Sequence, residues 1–467
     1  MSRIEKDFLG ERELPDNVYY GVQTLRAKEN FHITGVSMAS EPAMVKALAY
    51  VKKAAAMANH ECGALETEIK DAIIKACDKL IAGQYTDQFV TDNIQGGAGT
   101  SVNMNANEVI ANIALEIMGK SKGEYTFVSP NDHVNCSQST NDAYPTALHL
   151  ALILRLKDYV GTLKELKETF NAKGKEFNQV LKMGRTHLQD AVPMSLGDEF
   201  NGFASSIGEE IALTMELINM LRGVNLGATA IGSRVNTPPK YPERAVEILG
   251  ELTGIDFFLA PDLIEATSDT GDYVHASSVL KRMAVKMTKI CNDLRMLASG
   301  PRCGLNEILL PQMQPGSSIM PGKVNPVILE VVNQTCFLVI GLDTTVTLAA
   351  SAGQLQLNVM EPVISYALFT SIHSLENALK GLSDKCIKGI KANDERTKSM
   401  VMHSIGIVTQ LSPVLGYKKC ADIAKQAFEQ NRSLHDIVVL DQKLITQEKW
   451  DEIFSFENLI NPKYIKQ

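Results

Sequence analysis

The sequence lacks most of the features that mark a metal-bound or nucleic-acid-binding protein. None of its eight cysteines forms a CxxC pair, and no cluster of His, Asp and Glu has the spacing of metal ligands. The sequence therefore indicates neither a metal site nor a redox motif. The net charge is −8, and no basic tail or Lys/Arg stripe is present, which argues against a nucleic-acid partner.

Signals for export and membrane insertion are also missing. The N-terminal segment MSRIEKDFLGERELPDN is charged and lacks the apolar core of a signal peptide. The apolar stretch around 336-CFLVIG-341 is soon followed by Asp343, so we expect no run long enough to span a bilayer. These absences predict a cytoplasmic protein with reduced, mostly buried thiols and with no membrane partner, no cofactor and no required metal.

What the sequence does contain is a strong helical pattern. Hydrophobic residues make up 45% of the 467 residues and charged residues 21%, which is ordinary for a globular protein with a core. Within residues 276–299, apolar side chains recur every three or four positions at Leu280, Met283, Met287, Ile290, Leu294 and Leu297. Within residues 364–386, the same spacing joins Leu368, Ile372, Leu375, Leu379, Leu382 and Cys386. These patterns, with a similar one over residues 148–170, predict long helices that each bury one face.

Residues 327–350 differ because they are apolar nearly all round. Such a segment predicts a helix that is buried on every side. Several long helices with one fully buried member are typical of a helical bundle, so we expect a mainly α protein with a central long-helix bundle. A bundle this apolar also predicts self-association into a symmetric oligomer.

Changes in pattern along the chain predict three domains. Residues 1–138 have a mixed, loop-rich beginning and form the expected N-terminal domain. The central helical bundle is expected over residues 139–390. Beyond residue 390 the helical segments become short and are broken at Pro413, Gly416 and Asn431, which predicts a small C-terminal helical domain over residues 391–467.

Two glycine-rich segments superficially suggest phosphate binding. Five residues separate Gly316 from Gly322-Lys323, where a P-loop needs four. Val324 also occupies the place of the metal-binding Ser or Thr of that motif. The segment 96-GGAGTS-101 lacks the last glycine of GxGxxG. Neither segment therefore supports nucleotide binding.

Four short polar segments have similar chemistry, because each places hydroxyl or amide groups beside a glycine or an expected helix start. They are Gly99-Thr100-Ser101, Ser137-Gln138-Ser139-Thr140-Asn141, Gly184-Arg185-Thr186-His187 and 316-GSSIMPGKVNP-326. Helix capping explains any one of them alone. Taken together, and with the cation of Lys323, they favour a site that holds a small dicarboxylate.

The segment 316-GSSIMPGKVNP-326 resembles the signature of the aspartase/fumarase superfamily, and the similarity runs along nearly the whole chain. Within that superfamily the chain is similar to the aspartate ammonia-lyase branch in four further segments. They are 19-YYGVQTLRAKENF-31, 95-QGGAGTSVNMNANEVIAN-112, 226-LGATAIG-232 and 355-LQLNVMEPV-363. Class II fumarases tend to have GSGTQ at residues 97–101 and Lys-Pro in place of Glu361-Pro362.

The resemblance implies a three-domain aspartase/fumarase-type fold, and a homotetramer whose chains share active sites. It also implies reversible deamination of L-aspartate to fumarate and ammonia. Ser317 is expected to remove the proton beside a carboxylate, which gives a doubly charged aci-carboxylate. The hydroxyls expected to stabilise that intermediate belong to Ser139, Thr140 and Ser318, with Thr100 nearby.

By the same resemblance, the second substrate carboxylate is expected to contact Lys323, Asn325 and Thr186. Asn141 and His187 are expected to face the amino group. The glycine-flanked loop around Ser317 would close over the substrate, since water would weaken these electrostatic contacts.

Two other functions are compatible with the same residues. One is a class II fumarase that acts on malate and fumarate, and the other is a catalytically silent helical oligomer with a structural or binding role.

Arg26, in the stretch Gln23-Thr24-Leu25-Arg26, is a further candidate for contact with a substrate carboxylate.

Overall fold

The protein is described here by a computed structural model over residues 2–460, and it is mainly helical. The predicted mainly α fold is therefore confirmed. The helices are α1 (Val22–Asn30), α2 (Pro42–Glu61), α3 (Thr67–Ile81), α4 (Thr100–Ile117), α5 (Thr140–Glu176), α6 (Leu196–Met220), α7 (Tyr241–Thr253), α8 (Leu263–Ser268), α9 (Gly271–Leu297), α10 (Val327–Ser351), α11 (Glu361–Lys385), α12 (Asp394–His403), α13 (Ser412–Leu415), α14 (Tyr417–Gln430), α15 (Gln447–Ile453) and α16 (Phe456–Ile460).

The strands are short and pair two by two. Strands β1 (Ser2–Asp7) and β2 (Gly10–Pro15) are antiparallel, as are β3 (Leu181–Thr186) and β4 (Gln189–Ser195). Strands β5 (Gly223–Val224) and β6 (Phe258–Leu259) are parallel, whereas β7 (Ile308–Leu309) and β8 (Lys391–Ala392) are antiparallel. Short 3-10 or π turns are Met38–Ser40, Thr86–Gln88, Pro130–Val134, Ile387–Gly389, Ile405–Leu411 and Asp436–Asp441.

The chain forms two compact units, each assembled from three stretches of sequence. Unit 1 comprises Met1–Gly161, Ala212–Ala284 and Cys336–Glu376, and unit 2 comprises Thr162–Ile211, Val285–Thr335 and Asn377–Gln467. The boundaries expected near residues 138 and 390 do not coincide with the edges of these units, and the three-domain division stays a prediction.

The helical periodicity identifies the buried faces of the long helices correctly. In α9, all six apolar residues of the predicted face, from Leu280 to Leu297, are buried. In α11, the set that begins at Leu368 is buried in the same way. Since Cys386 is also buried, that face continues one residue beyond the end of the helix.

Helix α10 departs from its prediction. It is helical as expected, but Phe337, Leu338 and Leu348 are largely exposed, so within a single chain it is not buried on every side. Within residues 2–460, it is also the helix whose length and composition would suffice to cross a membrane. The expectation that no run reaches that length was therefore wrong for this segment. An all-round apolar pattern in the sequence does not show whether the chain itself or another chain covers each side.

A compact core in unit 2 holds the base of strand β3. Leu181 and Met183 of β3 are buried in one cluster with Val401, Ile407 and Trp450 from the C-terminal helical segments. The strand is therefore fixed at its beginning, and the β3–β4 hairpin extends from this core toward Thr186 and the turn that follows.

Candidate active site

The first predicted segment forms a tight turn immediately before α4. Residues 97–99 all have positive φ angles, of 91°, 55° and 90°, which is uncommon for the alanine at the centre. A Cβ atom on Gly99 would lie 2.6 Å from the ring of Tyr144, so this position has no room for a side chain. The turn brings Thr100 to the exposed start of α4, where its hydroxyl donates to the Gly97 carbonyl at 2.7 Å.

The second segment begins α5, also in unit 1. Ser139 precedes the helix, and its Oγ accepts from the Asn141 N–H at 3.2 Å, which is the capping role that its sequence allows. Thr140 Oγ1 accepts from the Asn103 amide at 3.2 Å, and the Asn141 amide donates to the Ala230 carbonyl at 2.8 Å. Because a hydroxyl that accepts a bond still has its own hydrogen, Ser139 and Thr140 remain able to donate to a ligand.

A buried lysine that belongs to none of the four predicted segments lies beneath this one. Lys52 is fully buried, and its ammonium donates to Asn103 Oδ1 at 2.7 Å, Asn135 Oδ1 at 3.0 Å and Gln138 Oε1 at 2.9 Å. Asn103 in turn donates to Thr140. Lys52 thus positions the side chain that supports a predicted site hydroxyl.

The negative charge that attracts the Lys52 ammonium belongs to Asp142, on the first turn of α5. Its buried carboxylate accepts from the N–H groups of Ser139, Gly227 and Thr229. Burial raises the pKa of Asp142 to about 7, and these hydrogen bonds and the charge of Lys52 oppose that rise. Burial likewise lowers the pKa of Lys52 to about 7, against the attraction of Asp142.

The sequence contained a signal for Lys52. Along α2, residues Val45, Leu48, Lys52, Ala55 and Asn59 recur at spacings of 3, 4, 3 and 4, and all five are buried. A lysine on the apolar face of a helix is rarely buried without a partner. The position therefore predicts a buried polar contact, although the sequence cannot show which segments supply the acceptors.

Replacing Lys52 with methionine should destabilise the protein by about 2–4 kcal/mol, because three amide oxygens, that of the buried Asn103 among them, would lose their shared donor. Since Thr140 would lose its fixed neighbour Asn103, kcat should also fall roughly tenfold. Urea denaturation and steady-state kinetics measure the two effects. The matched control is Lys53→Met, which removes a pair with the half-exposed Asp78 and should change stability by less than about 1 kcal/mol. Equal effects of the two substitutions would contradict this role of Lys52.

The third segment, in unit 2, lies at the tip of the β3–β4 hairpin. Thr186 pairs with Gln189, and the two residues between them, His187 and Leu188, have φ angles of 54° and 60°. Positive φ angles at both turn positions are typical of a type I′ hairpin turn, which usually contains glycine or asparagine. Thr186 and His187 are both exposed. The hairpin therefore presents them to the surroundings at the cost of local backbone strain.

Buried ion pairs support the hairpin from below. Arg185 Nη2 lies 2.6 Å from Glu307 Oε1, and Lys182 Nζ lies 2.5 Å from Glu199 and 3.4 Å from Glu307. The Glu307 side chain is completely buried. Glu307 has no recognisable motif around it in the sequence, so the sequence alone does not predict its role.

The fourth segment is a closed loop in unit 2. The Gly316 N–H donates to the Lys323 carbonyl at 2.8 Å, and the Asn325 amide donates to the Gly316 carbonyl at 2.6 Å. A Cβ atom on Gly316 would lie 2.6 Å from backbone atoms of Lys323 and Asn325, so this crossing requires glycine. The loop places Ser317 in a half-buried position, whereas Ser318 and Lys323 are exposed.

Backbone donors converge on the Ser317 hydroxyl. Its Oγ accepts from the N–H groups of Ile319 at 3.2 Å and Met320 at 2.9 Å. Two N–H groups aimed at one oxygen stabilise negative charge on it, as in a backbone anion site. The geometry therefore favours a lower proton affinity at Ser317 than at an ordinary exposed serine.

The structure brings some predicted residues together and leaves others apart. Ser139, Thr140 and Asn141 are adjacent at the start of α5, and the loop of residues 316–325 joins Ser317, Ser318, Lys323 and Asn325. Thr186 and His187 occupy the separate hairpin, with no hydrogen bond to that loop within residues 2–460. Arg26 forms a double ion pair with Asp7, at 2.8 Å for each nitrogen, so its guanidinium already has a carboxylate.

No group of three or more His, Cys, Asp or Glu side chains is placed to hold a metal ion in the part of the chain that the structure describes. The arrangement instead consists of hydroxyls, amides, one exposed ammonium and one imidazole. Such groups donate hydrogen bonds to carboxylates.

Comparisons with known proteins identify the family of this chain. The lyase family model matches residues 10–341, and the model of the fumarase C C-terminus matches residues 407–461. Aspartate ammonia-lyase of Helicobacter pylori (strain ATCC 700392 / 26695) is 56% identical over 465 residues, which cover 100% of this chain and 99% of that protein. The aspartate ammonia-lyase of Escherichia coli (strain K12) is 55% identical, with 99% and 97% covered.

Solved structures show the same fold. A fumarate lyase:delta crystallin of Brucella melitensis, bound to cobalt, has a TM-score of 0.95 at 50% identity, with 98% of this chain and 99% of that chain covered. A class II fumarase of Schistosoma mansoni has a TM-score of 0.93 at 33% identity, with 99% and 100% covered.

Proposed function

The chain belongs to the aspartase/fumarase family of lyases, and from that membership we propose that it converts L-aspartate reversibly to fumarate and ammonia. The full-length identity of 53–56% to several aspartate ammonia-lyases carries this assignment. The class II fumarase, at 33% identity, is more distant. Lyase activity therefore follows from the family, and aspartate is the substrate that the relatives favour.

The proposed base is Ser317, acting as an alkoxide. The observation that supports it is the pair of backbone N–H groups on its Oγ, which would stabilise the charge left when the hydroxyl proton departs. The alkoxide removes a proton from the substrate carbon next to a carboxylate, and the electron pair moves into that carboxylate. The carbon–nitrogen bond then breaks, and ammonia leaves.

The remaining residues divide between the two ends of the substrate. Ser139 and Thr140 accept hydrogen bonds from neighbours, and each hydroxyl can still donate its own hydrogen to the carboxylate that gains charge, as can Ser318. Thr100 donates its hydrogen to Gly97 and would have to turn to take part.

The other carboxylate is proposed to contact Lys323, Asn325 and Thr186. Asn325 ties the loop through one amide hydrogen and retains the second for a ligand. The Asn141 amide oxygen accepts no hydrogen bond from a residue of the 2–460 range, so it can accept from the substrate ammonium. His187, exposed at the hairpin tip, is proposed to face the same group.

We also propose that the protein is a cytoplasmic homotetramer in which different chains complete each site. Exposed Phe337 (58%), Leu338 (49%) and Leu348 (65%) on α10 form an apolar face that a second copy would cover. Analytical ultracentrifugation should give a mass near four times 51.1 kDa. A stable, active monomer would contradict shared sites.

The assignment of substrate is tested by mixing the purified enzyme with L-aspartate or L-malate and following the absorbance of fumarate. We expect turnover with L-aspartate to exceed that with L-malate by roughly 10²-fold or more, because a site built for an ammonium group leaves polar groups unpaired with a hydroxyl. Activity with malate alone would identify a fumarase. No activity with either substrate would favour a catalytically silent oligomer.

A further inference from the structure

A cavity lies in unit 1, and none of the predicted site residues lines it. Its volume is about 240 Å³, and its walls come from the second turn of α5, from β5 and β6, from α8 and from the starts of α9 and α11. At roughly 30 Å³ per water molecule, it holds about eight waters, which is the volume of a small organic molecule.

Three polar side chains that line this cavity are buried and have no partner among residues 2–460. The hydroxyls of Thr146 and Tyr273 make no hydrogen bond, although they are only 1% and 2% exposed. Glu361, which is 7% exposed, accepts no hydrogen bond and forms no ion pair with a described residue. Buried polar groups are usually paired, so these two hydroxyls and the Glu361 carboxylate leave hydrogen-bonding capacity that a ligand in the cavity would use.

The charge of the lining indicates the sign of that ligand. Besides Glu361, the carboxyl groups of Glu265, Asp269 and Asp272 line the cavity, and no lysine or arginine does. Burial, together with repulsion from Asp269 and other nearby carboxylates, raises the pKa of Glu265. The lining is therefore acidic, and a ligand that balances its charge would be a cation.

The histidine of this cavity is arranged as an acceptor. His149 Nδ1 lies 3.1 Å from the Leu221 carbonyl and 3.0 Å from the Gly223 carbonyl, so Nδ1 carries a hydrogen. Burial lowers the pKa of His149, against the attraction of Asp272, which favours the neutral ring with a lone pair on Nε2. His149 thus adds no positive charge.

The lining also favours an organic ammonium group over a metal ion. No group of three or more ligand side chains is placed to hold a metal ion in the described part of the chain. Apolar surface from Met220, Val224 and Phe258 lies beside the carboxylates. A short aliphatic chain would contact that surface while an ammonium group meets the acceptors.

We propose that this cavity binds a small organic cation with one or two primary ammonium groups, one of which pairs with Glu361. The hydroxyls of Tyr273 and Thr146 accept further hydrogen bonds from the ammonium. The site is separate from the one assigned to the lyase reaction, and it does not depend on that assignment.

Binding should strengthen as the pH rises. Burial raises the pKa of Glu361 to about 8, so below that pH the carboxyl is protonated and must lose its proton to pair with a cation. A primary amine stays protonated up to its pKa of about 10.4. The other titratable groups at the cavity are His149 from α5, Glu265 from α8, Asp269, and Asp272 and Tyr273 from α9. Affinity should therefore rise up to about tenfold per pH unit toward pH 8.

The test is calorimetric titration of the assembled protein with 1,4-diaminobutane, with 1,4-butanediol as the neutral comparator. We expect one site per chain with a Kd of about 1 mM or tighter, and no binding of the diol. Glu361→Gln, which keeps the shape of the side chain, should weaken binding at least about tenfold. The matched control is Glu216→Gln, which makes the same charge change at an exposed position of α6 and should leave the affinity unchanged.

Tyr273→Phe provides a second variant that keeps the buried ring, and it should weaken diamine binding several-fold. The proposal is overturned if the wild-type protein gives no heat of binding at a diamine concentration tenfold above that expected Kd. It is equally overturned if diol and diamine bind alike, or if Glu361→Gln and Glu216→Gln have the same affinity as the wild type.

Discussion

Replacing Ser317 with alanine should lower kcat with L-aspartate by about 10³-fold or more, while the fold and the assembly remain unchanged. The substitution removes the oxygen on which the Ile319 and Met320 N–H groups converge, and with it the proposed base. The side chain is only half-buried and contacts its own loop, so the cost in stability should stay near 1 kcal/mol.

The neighbouring Ser318→Ala is the matched control. It removes one hydroxyl of the same size from the same loop, but the lost group is a donor rather than the base. We expect Ser318→Ala to retain at least about tenfold more activity than Ser317→Ala. Exchange of the substrate methylene hydrogens with solvent should disappear in Ser317→Ala. If Ser317→Ala keeps more than about a tenth of normal turnover, another group is the base.

Replacing Glu307 with glutamine should lower the free energy of unfolding by about 3 kcal/mol. The carboxylate is fully buried between Arg185 and Lys182. Its loss removes the ion-pair partner of Arg185 and leaves Lys182 with Glu199 alone. Because these residues belong to the strand that carries Thr186, the hairpin tip should also lose its fixed position. kcat/KM should then fall at temperatures where the protein is still folded.

Glu199→Gln is the control for Glu307→Gln, since Glu199 pairs with the same Lys182 but is partly exposed, at 19% of its side chain. Its cost should stay near 1 kcal/mol. Urea denaturation of both variants gives the comparison through the shift of the transition midpoint at constant slope. A change of less than about 0.5 kcal/mol for Glu307→Gln would show that this buried pair does not hold the hairpin.

The helical framework could be predicted from the sequence because its signal is local. In α9 and α11, the spacing of apolar residues alone identifies the buried faces, and both helices bury them. Helix α10 shows the limit of that signal. Its residues are apolar on all sides, and periodicity cannot distinguish a surface that this chain covers from one that another copy would cover.

Part of the candidate site could be predicted from the sequence because the signal of that part is also local. Ser139, Ser317 and His187 lie in short motifs that the sequence shows directly. The residues that hold these motifs in place lie in no such motif, because Lys52 and Glu307 act through partners that are distant in sequence. The two N–H groups on Ser317 Oγ arise from the path of the loop, which no spacing rule specifies.

Capping and function are not alternatives at the start of α5. Ser139 caps the helix by accepting from Asn141, and that bond directs its own hydrogen away from the helix. Ser139 thus caps the helix and remains available to donate a hydrogen bond to the substrate.

The most direct test of the proposed mechanism is a crystal structure of the assembled enzyme with fumarate or a dicarboxylate analogue bound. The mechanism predicts that Ser317 Oγ lies about 3–3.5 Å from the carbon that exchanges its proton. The N–H groups of Ile319 and Met320 should remain on that oxygen. A structure in which Ser317 points away from the ligand, and other segments form the walls of the pocket, would contradict the assignment of the base.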